Sequence, residues 1–397
     1  MGVPIFDAFR ALRYASTGST DLGAVTSPPY DVFGPAERAV LARESRNIVH
    51  IDYPVDADGP GRYARAASTL QEWLATGVLV EDDTASLSIY RMTFTDGAGR
   101  TRHTVGVVGA LEVVDEGADG VLPHEQTTPK AKTDRLDLTR ATRANLSPVW
   151  GLSLARGLSS LLDERGHETG RVMDSDGVLH VVERVNDPDR IAAITTLVSS
   201  EPVLIADGHH RYAVSRTYRD EARAGGGPGG AGTTMALVQE LEKDQLAIAA
   251  IHRLYDERAE QLLPLLSRFY EATHHGPAEP GLVAEMERRG TLALLDSDCR
   301  VTWLKPRGDA FDGVRNIDSV RLETALADHT MKVRYQHGSS EVIAALEHGE
   351  AQSAILIRPV PIAEIEVTAR TGALMPPKST FFTPKPRTGL VLRRLDP

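Results

Sequence analysis

Three things are scarce in this sequence: cysteine, long hydrophobic runs and excess positive charge. Cys299 is the only cysteine among the 397 residues, which excludes a disulfide within the chain and a zinc site built from cysteines. No segment approaches the ~18 consecutive apolar residues of a membrane-spanning helix, and residues 1–13 lack the hydrophobic stretch of a secretory signal. We therefore expect a cytoplasmic protein with no membrane partner.

The charge balance is acidic, with a formal net charge of −11 at pH 7. Proteins that bind nucleic acids usually carry a basic stripe, whereas the basic residues are scattered here, so we expect no nucleic-acid partner. The remaining composition, 41% hydrophobic and 25% charged residues, is typical of a globular protein with a full core. An anionic substrate would need a local basic pocket, because the protein as a whole repels it.

Hydrophobic periodicity predicts a mixed α/β fold, with a mixed central sheet and flanking helices. The length favours two or three domains, and we divide the chain into the regions 1–145, 146–258 and 259–397. The most distinct predicted elements are a short strand at 48–51, a helix over 61–76, and a hairpin of strands 87–94 and 103–114.

The most informative segment is an apolar strand that runs into a glycine turn and a helix. Residues 202–206 form the strand, Asp207 and Gly208 form the turn, and the helix continues to about Ala224. Backbone N–H groups at a helix N-terminus point at a ligand, and the helix dipole favours negative charge. Gly208 lets the backbone approach a phosphate closely, and Arg211 can grip two phosphate oxygens. The segment therefore predicts a phosphate-binding site.

An acidic residue and two histidines share this turn. Asp207 can cap the helix, hold a metal ion or activate a hydroxyl. His209 and His210 follow it closely, but consecutive helical residues point about 100° apart, so the two rings cannot easily share one ion. We predict Asp207 and His209 as catalytic residues, and His210 and Arg211 as ligand-binding residues together with Gly208.

The segment 123–145 is dense in charged residues of both signs. As an active-site loop, it would offer Glu125 or His124 for acid–base chemistry, and Lys132 and Arg135 to meet negative charge on a substrate. The same composition is also typical of a solvated loop.

A third polar segment, 375–380, lies near the C-terminus. Two prolines stiffen a turn that can present Lys378, Ser379 and Thr380 to a phosphate group; a plain C-terminal turn explains the pattern equally well. The spaced glycines of a Walker A loop and of a Rossmann dinucleotide site are missing, and no Gly-x-Ser-x-Gly elbow occurs.

Together these motifs resemble a family found in bacteria and archaea, that of domain of unknown function 1015. The resemblance spans almost the whole chain and rests on five motifs in order: Pro28-Pro29-Tyr30-Asp31-Val32, His124-Glu125 to Asp134-Arg135, Ala206-Asp207-Gly208-His209-His210-Arg211-Tyr212, His252-Arg253, and Met375-Pro376-Pro377-Lys378-Ser379-Thr380.

More distantly, Asp207 to Arg211 are similar to the phosphate-binding box of the ParB/sulfiredoxin superfamily, which includes free-serine kinases. This resemblance implies that residues 208–211 hold the phosphates of ATP or another nucleotide, and that Asp207 positions Mg²⁺ or the substrate hydroxyl. A base is also required, for which Glu125 is the candidate.

Our leading hypothesis is an ATP-dependent kinase that acts on a small hydroxylated metabolite, with free L-serine as the favoured acceptor. Phosphoryl transfer depends mostly on positioning and charge neutralisation, which Arg211, Lys378 and Mg²⁺ would supply. Two alternatives remain at this point. One is a nucleotide-binding regulator without turnover, and the other is a metal-dependent hydrolase that uses His124, His209 and His210. The sequence does not indicate the oligomeric state.

Overall fold

The computed structural model describes residues 2–15, 21–96, 99–123, 132–227, 229–376 and 378–396. The chain folds into two compact units. The first contains Met1–Thr95, Thr101–Leu246 and Pro384–Pro397, and the second contains Asp96–Arg100 and Ala247–Thr383. The second unit is thus largely an insertion in the sequence of the first, to which the chain returns at Pro384. The division into three consecutive regions stays a prediction.

The helices and strands of the first unit have the following bounds. Its strands are β1 (Phe6–Asp7), β2 (Ala11–Tyr14), β3 (Leu79–Glu81), β4 (Leu87–Thr95), β5 (Thr101–Glu112), β6 (Val121–Pro123), β7 (Ala144–Asn145), β8 (Val149–Ser153), β9 (His167–Met173), β10 (Leu179–Val185), β11 (Val203–Asp207), β12 (Thr233–Glu240) and β21 (Leu392–Arg394). Its helices are α1 (Leu22–Val25), α2 (Pro35–Leu41), α3 (Val49–Asp52), α4 (Arg62–Ala75), α5 (Lys132–Thr142), α6 (Leu158–Leu161), α7 (Pro188–Val198) and α8 (His209–Ala224).

A large mixed sheet organises the first unit. Its strand order is β6-β11-β8-β12-β5-β4-β10-β9, with β1 also paired to β5. The pairs β6–β11 and β8–β12 are parallel, and the other neighbours are antiparallel. Strand β11 is apolar because it is buried within the sheet, where Val203 and Ile205 join a core that also contains Ile194 of α7 and Tyr212 of α8. This burial fixes the start of α8 at the end of β11.

A smaller sheet of order β3-β2-β21-β7 packs against helices α1, α3, α4 and α5. Leu12 and Leu392 from this sheet pack with Ile51 of α3, Leu70 of α4 and Leu138 of α5 in one buried cluster. Helix α5 also packs against α8. Helix α5, which packs against α8, is therefore anchored on the smaller sheet.

The second unit contains an antiparallel sheet of order β15-β17-β16-β19-β14-β18 and a separate pair β13–β20. Its strands are β13 (Ile248–Ala249), β14 (Ile251–Tyr255), β15 (Tyr270–Pro277), β16 (Leu292–Asp296), β17 (Arg300–Pro306), β18 (Val333–His337), β19 (Ser353–Leu356) and β20 (Phe381–Phe382). Its helices are α9 (Ala259–Leu266), α10 (Leu282–Arg289), α11 (Asp318–Leu326), α12 (Ser339–Glu347) and α13 (Ile362–Thr371). Two apolar clusters fill its core.

The predicted mixed α/β fold is confirmed, as are the helix predicted over 61–76 and the hairpin now seen as β4 and β5. The strand predicted at 48–51 is wrong, because this segment forms helix α3. Asn47 starts the helix: its side-chain oxygen accepts the N–H of Val49 at 2.9 Å, and its amide nitrogen donates to the carbonyl of Ala24 at 2.6 Å. These local hydrogen bonds outweigh the β-propensity of the branched residues.

None of the helices in the described part of the chain combines the length and the apolar character needed to cross a bilayer.

Substituting Gly109 tests the packing of the central sheet. This glycine of β5 lies against the ring of Phe6, and a Cβ added to it would come within 2.3 Å of the ring. We expect Gly109→Ala to lower the free energy of unfolding by about 1–3 kcal/mol, since the buried ring has to move. Gly276→Ala, in open space on β15, serves as the control with little effect. Equal urea midpoints for both variants and the wild type would contradict this packing.

Candidate functional site

Strand β11 meets helix α8 at a tight turn whose geometry requires glycine. Gly208 is the N-cap residue of α8 and has a left-handed backbone, with φ 83° and ψ 28°. The side chain of Arg211 folds back over it, so that a Cβ added to Gly208 would lie 3.0 Å from both Cζ and Nε of that arginine. Glycine is thus needed both for its backbone conformation and for the close approach of a guanidinium.

The carboxylate of Asp207 lies between two cations. Its Oδ2 accepts a hydrogen bond from Nη2 of Arg211 at 2.6 Å, and its Oδ1 accepts one from Nζ of Lys385. The Arg211 and Lys385 side chains are each 10% exposed. Burial favours a raised pKa for Asp207, but the charges of Lys385 and Arg211 outweigh it and hold this pKa well below its ordinary value. Asp207 is therefore a permanent anion at this turn.

A second arginine lies close by on helix α5. The Arg135 guanidinium stacks 3.8 Å from the ring centre of Tyr30 and donates to the carbonyl oxygen of Asp52 at 2.6 Å. It also forms ion pairs with Oδ1 of Asp52 at 3.4 Å and with Asp134 at 3.1 Å. The family motif at Tyr30 thus holds the arginine that the sequence predicted for substrate binding.

Burial makes the carboxyl group of Asp52 a weaker acid than an ordinary aspartate. Its side chain is 4% exposed, and this burial raises its pKa above the ordinary value although Arg135 and Arg211 act in the opposite direction. Two carboxylates in one region therefore have pKa values displaced in opposite directions, Asp207 downward and Asp52 upward. Such divergence is typical of sites that separate an electrostatic role from a proton-transfer role.

A small cavity of about 40 Å³ with a mixed polar and apolar lining lies between helices α5 and α8. Asp52, Arg135, Arg211 and Ser215 contribute its polar lining, together with Thr139, Asn145, Ser147 and Thr234. Nε of Arg211 is buried and has no hydrogen-bond acceptor within the described residues. The volume has room for about three water molecules or one group of similar size. Arg211 is thus one of two arginines that line the cavity.

The two histidines of the turn are half-buried in the first turn of α8, and the charge of His209 contributes to the low pKa of Asp207. Among the residues that the structure describes, no three His, Cys, Asp or Glu side chains are arranged to hold a metal ion. Both oxygens of Asp207 already accept hydrogen bonds from cations. The described residues therefore do not fit a resident Mg²⁺ ion.

Several predicted site residues lie elsewhere or outside the described part. His124 and Glu125 fall outside the described residues, and Lys132 opens helix α5 without a described side chain. Their predicted roles stay predictions. The structure brings together Asp207, Gly208, Arg211 and Arg135 of the predicted set within the first unit.

The predicted residues at 378–380 belong to the second unit. Lys378 is exposed and has a left-handed backbone with φ 62°, and its carbonyl accepts a hydrogen bond from Nη1 of Arg253 at 3.2 Å. Oγ of Ser379 lies 3.0 Å from Oγ of Ser319 and donates to the carbonyl of Pro376. Two sequence motifs, His252-Arg253 and the segment 375–380, thus meet inside this unit, where they shape one turn.

Sequence reasoning missed Lys385 and Asp52 as site residues. Lys385 stands between Pro384 and Pro386, and this flanking by prolines is a signal of a fixed backbone. No sequence motif includes Asp52, which was expected only to follow the strand predicted at 48–51.

The fold and the turn define a mixed α/β protein with a small cavity beside helix α8, lined in part by two arginines. The chain belongs to the family described as protein of unknown function DUF1015, whose model matches residues 6–324. This confirms the resemblance found in the sequence motifs. No curated protein matches the sequence significantly.

Solved structures with a similar arrangement are distant. A free serine kinase variant in complex with AMP is 13% identical, with a TM-score of 0.37, covering 66% of this chain and 84% of the other. A conserved hypothetical protein from Pyrococcus furiosus is 14% identical, with a TM-score of 0.37 and coverage of 69% and 92%. SbnI from Staphylococcus aureus is 12% identical, with a TM-score of 0.39 and coverage of 70% and 82%.

Replacing Asp207 with Asn tests the ion triad. The change leaves Arg211 and Lys385 buried beside each other without their carboxylate, so we expect a loss of about 3 kcal/mol in unfolding free energy at pH 7. Because the folded pKa is depressed, the difference from the wild type is complete above the unfolded pKa of 3.8 and shrinks as the pH falls below it. Urea unfolding at several pH values measures both.

The matched control is Asp137→Asn, which breaks an exposed pair with Arg140. It should change stability by no more than about 0.5 kcal/mol. A wild-type urea midpoint in Asp207→Asn at pH 7 would show that the triad is not a stabilising contact.

Proposed function

We propose that the first unit binds the phosphate groups of a nucleoside phosphate at the start of α8 and transfers a phosphoryl group from ATP to the hydroxyl of a small molecule such as free L-serine. The observation that carries this proposal is the Arg211 guanidinium, which folds over the left-handed Gly208 and lines the small cavity. A helix N-terminus, a glycine and a guanidinium are the elements that phosphate recognition commonly combines.

The charges of the turn support an anionic ligand. Asp207 carries one negative charge between the two positive charges of Arg211 and Lys385, so these three groups have one net positive charge. Arg135 lines the same cavity but is paired with the carboxylate of Asp52, so the excess of one positive charge comes from the three groups at the turn. This local excess counters the net charge of −11 of the whole chain, as an anionic ligand requires.

The size of the cavity supports the entry of one phosphoryl group rather than a whole nucleotide. At about 40 Å³ it is far smaller than the ~300–1,000 Å³ of pockets that enclose drug-sized ligands. In this proposal the terminal phosphate enters between α5 and α8, and the nucleoside stays outside the cavity. The arginines then neutralise charge on the transferring group, which is the main contribution that a protein makes to this reaction.

Asp52 is the described carboxylate best suited to accept the proton of the acceptor hydroxyl. Its raised pKa makes it a stronger base than an ordinary aspartate, and it lines the same cavity as Arg211. The acceptor oxygen would bond to the terminal phosphorus while the bond to the bridging oxygen of ADP breaks and the proton passes to Asp52. Glu125 remains the base predicted from the sequence. Because both oxygens of Asp207 are bonded to cations, the proposal assigns no described carboxylate to Mg²⁺.

A regulator that binds nucleotide without turnover is the second candidate. It is favoured by the ion pairs of Asp207, which make this carboxylate unavailable as a metal ligand or a base unless Lys385 or Arg211 moves.

Nucleotide binding is tested with Arg211→Gln. Loss of a charged hydrogen-bond donor to phosphate should raise the Kd for ATP and for pyrophosphate about 10- to 100-fold in calorimetry. The control is Arg219→Gln, eight residues further along α8, where an arginine that is even less exposed than Arg211 donates to the carbonyl of Val113. It should keep the wild-type Kd. Failure of the wild type to bind either ligand would overturn the proposal.

Turnover is tested with Asp52→Asn, ATP, Mg²⁺ and a panel of hydroxylated amino acids. If Asp52 accepts the proton, kcat for formation of the phosphorylated product should fall about 100-fold, with the Kd for ADP unchanged. Asp134→Asn is the control, because it also removes a partner of Arg135 but does not line the cavity. Binding without any phosphorylated product would favour the regulator instead.

A further inference from the structure

Lys385 owes its position to a short segment, residues 384–388, called here the Lys385 segment. It follows directly on the second unit and re-enters the first. The Lys385 side chain reaches Asp207 and is 10% exposed. A flexible chain could not hold an ammonium group at one buried carboxylate, so something has to fix this backbone.

Arg387, two residues further, is the anchor of the segment. Its side chain donates to Oγ1 of Thr26 at 2.9 Å and to the carbonyl of Thr26 at 2.7 Å. Its backbone N–H donates to the hydroxyl of Tyr90 at 2.9 Å. Thr388 and Ser27 exchange backbone hydrogen bonds of 2.9 and 3.2 Å. The segment is thus attached to the residues that lead into the motif at Pro28.

The Tyr90 hydroxyl belongs to a buried hydrogen-bond network. The Tyr90 hydroxyl is 3.0 Å from Nδ1 of His180, and Nε2 of His180 is 3.0 Å from Oδ2 of Asp174. Asp174 itself accepts the N–H groups of Asp176 and Val178. A carboxylate accepts from Nε2, which leaves Nδ1 as the acceptor of the tyrosine proton. Every donor in this network therefore has a matching acceptor.

This order fixes which way the tyrosine hydroxyl points. Its proton is directed to His180, and its lone pairs are left for the N–H of Arg387. Burial lowers the pKa of His180 in spite of the neighbouring Asp174, so the imidazole stays neutral near pH 7. The network of Tyr90, His180 and Asp174 is thus a support for the Lys385 segment.

We infer that Tyr90 is a positioning residue of the phosphate site: supported by His180 and Asp174, its hydroxyl holds the backbone of Arg387 and thereby seats Lys385 against Asp207. The inference rests on the proposed function, since it assigns Lys385 a role in binding phosphate. Tyr90 does not contact the ligand and acts through Lys385 alone.

The test is Tyr90→Phe in the full-length protein, which removes one oxygen and keeps the ring in the core. Without its acceptor, the buried N–H of Arg387 is left unsatisfied, so the Lys385 segment should loosen. We expect a pyrophosphate Kd about tenfold higher than in the wild type, and faster modification of Lys385 by an amine-reactive ester, measured by mass spectrometry. The exposed Lys243 is the internal reference.

The matched control is Tyr14→Phe. Tyr14 is also a buried tyrosine of the first unit, and its hydroxyl donates to the carbonyls of Val25 and Arg46. The Tyr14→Phe variant should lose a similar amount of stability to Tyr90→Phe, without any change in Lys385 modification or in pyrophosphate affinity. Urea unfolding of both variants shows that each is folded under the assay conditions.

A double-mutant cycle decides whether Tyr90 acts through Lys385. Lys385→Met should weaken pyrophosphate binding, and adding Tyr90→Phe should then cause no further loss. Additive effects would overturn the inference, as would unchanged Lys385 modification in Tyr90→Phe. If modification is faster but the wild-type affinity persists, Tyr90 seats Lys385 for a purpose other than phosphate, and the inference also fails. If the wild type does not bind pyrophosphate at all, the proposed function fails, and the modification rates still report separately on whether Tyr90 seats Lys385.

Discussion

The structure of the candidate site depends on one carboxylate, that of Asp207, which is held between Arg211 and Lys385. Buried charges of one sign are costly unless a counterion accompanies them, so the two cations can share this small space only because Asp207 stays ionised. Asp207 and Lys385 are 178 residues apart in the sequence, and residues 247–383 between them form most of the second unit. The site is therefore complete only when the chain has returned from the second unit to the first.

Besides their carboxylate partners, the two arginines of the cavity are held by neutral groups. Nη1 of Arg211 donates to the carbonyl of Pro148, and Arg135 stacks on Tyr30 and donates to the carbonyl of Asp52. Carbonyls and an aromatic face fix a guanidinium while leaving its charge available. This explains how a protein with an acidic surface can keep a local attraction for anions at one helix N-terminus.

Much of this organisation could be predicted from the sequence, because local patterns encode it. The strand–glycine–helix unit around Gly208 is set by short-range periodicity and turn chemistry. Lys385 and Asp52 could not be placed, because their neighbours in space are distant in sequence. The strand prediction at 48–51 failed for a local reason, since the side chain of Asn47 accepts the N–H of Val49 at the start of a helix there. The connection between Tyr90 and Arg387 depends on tertiary packing alone.

The most direct test of the account is a crystal structure of the protein with ADP or a non-hydrolysable ATP analogue. We expect a phosphate group within hydrogen-bonding distance, about 3 Å, of the Arg211 guanidinium and the first backbone N–H groups of α8, with Lys385 still adjacent to Asp207. A nucleotide bound elsewhere, with the turn at Gly208 free of any phosphate, would contradict the central claim.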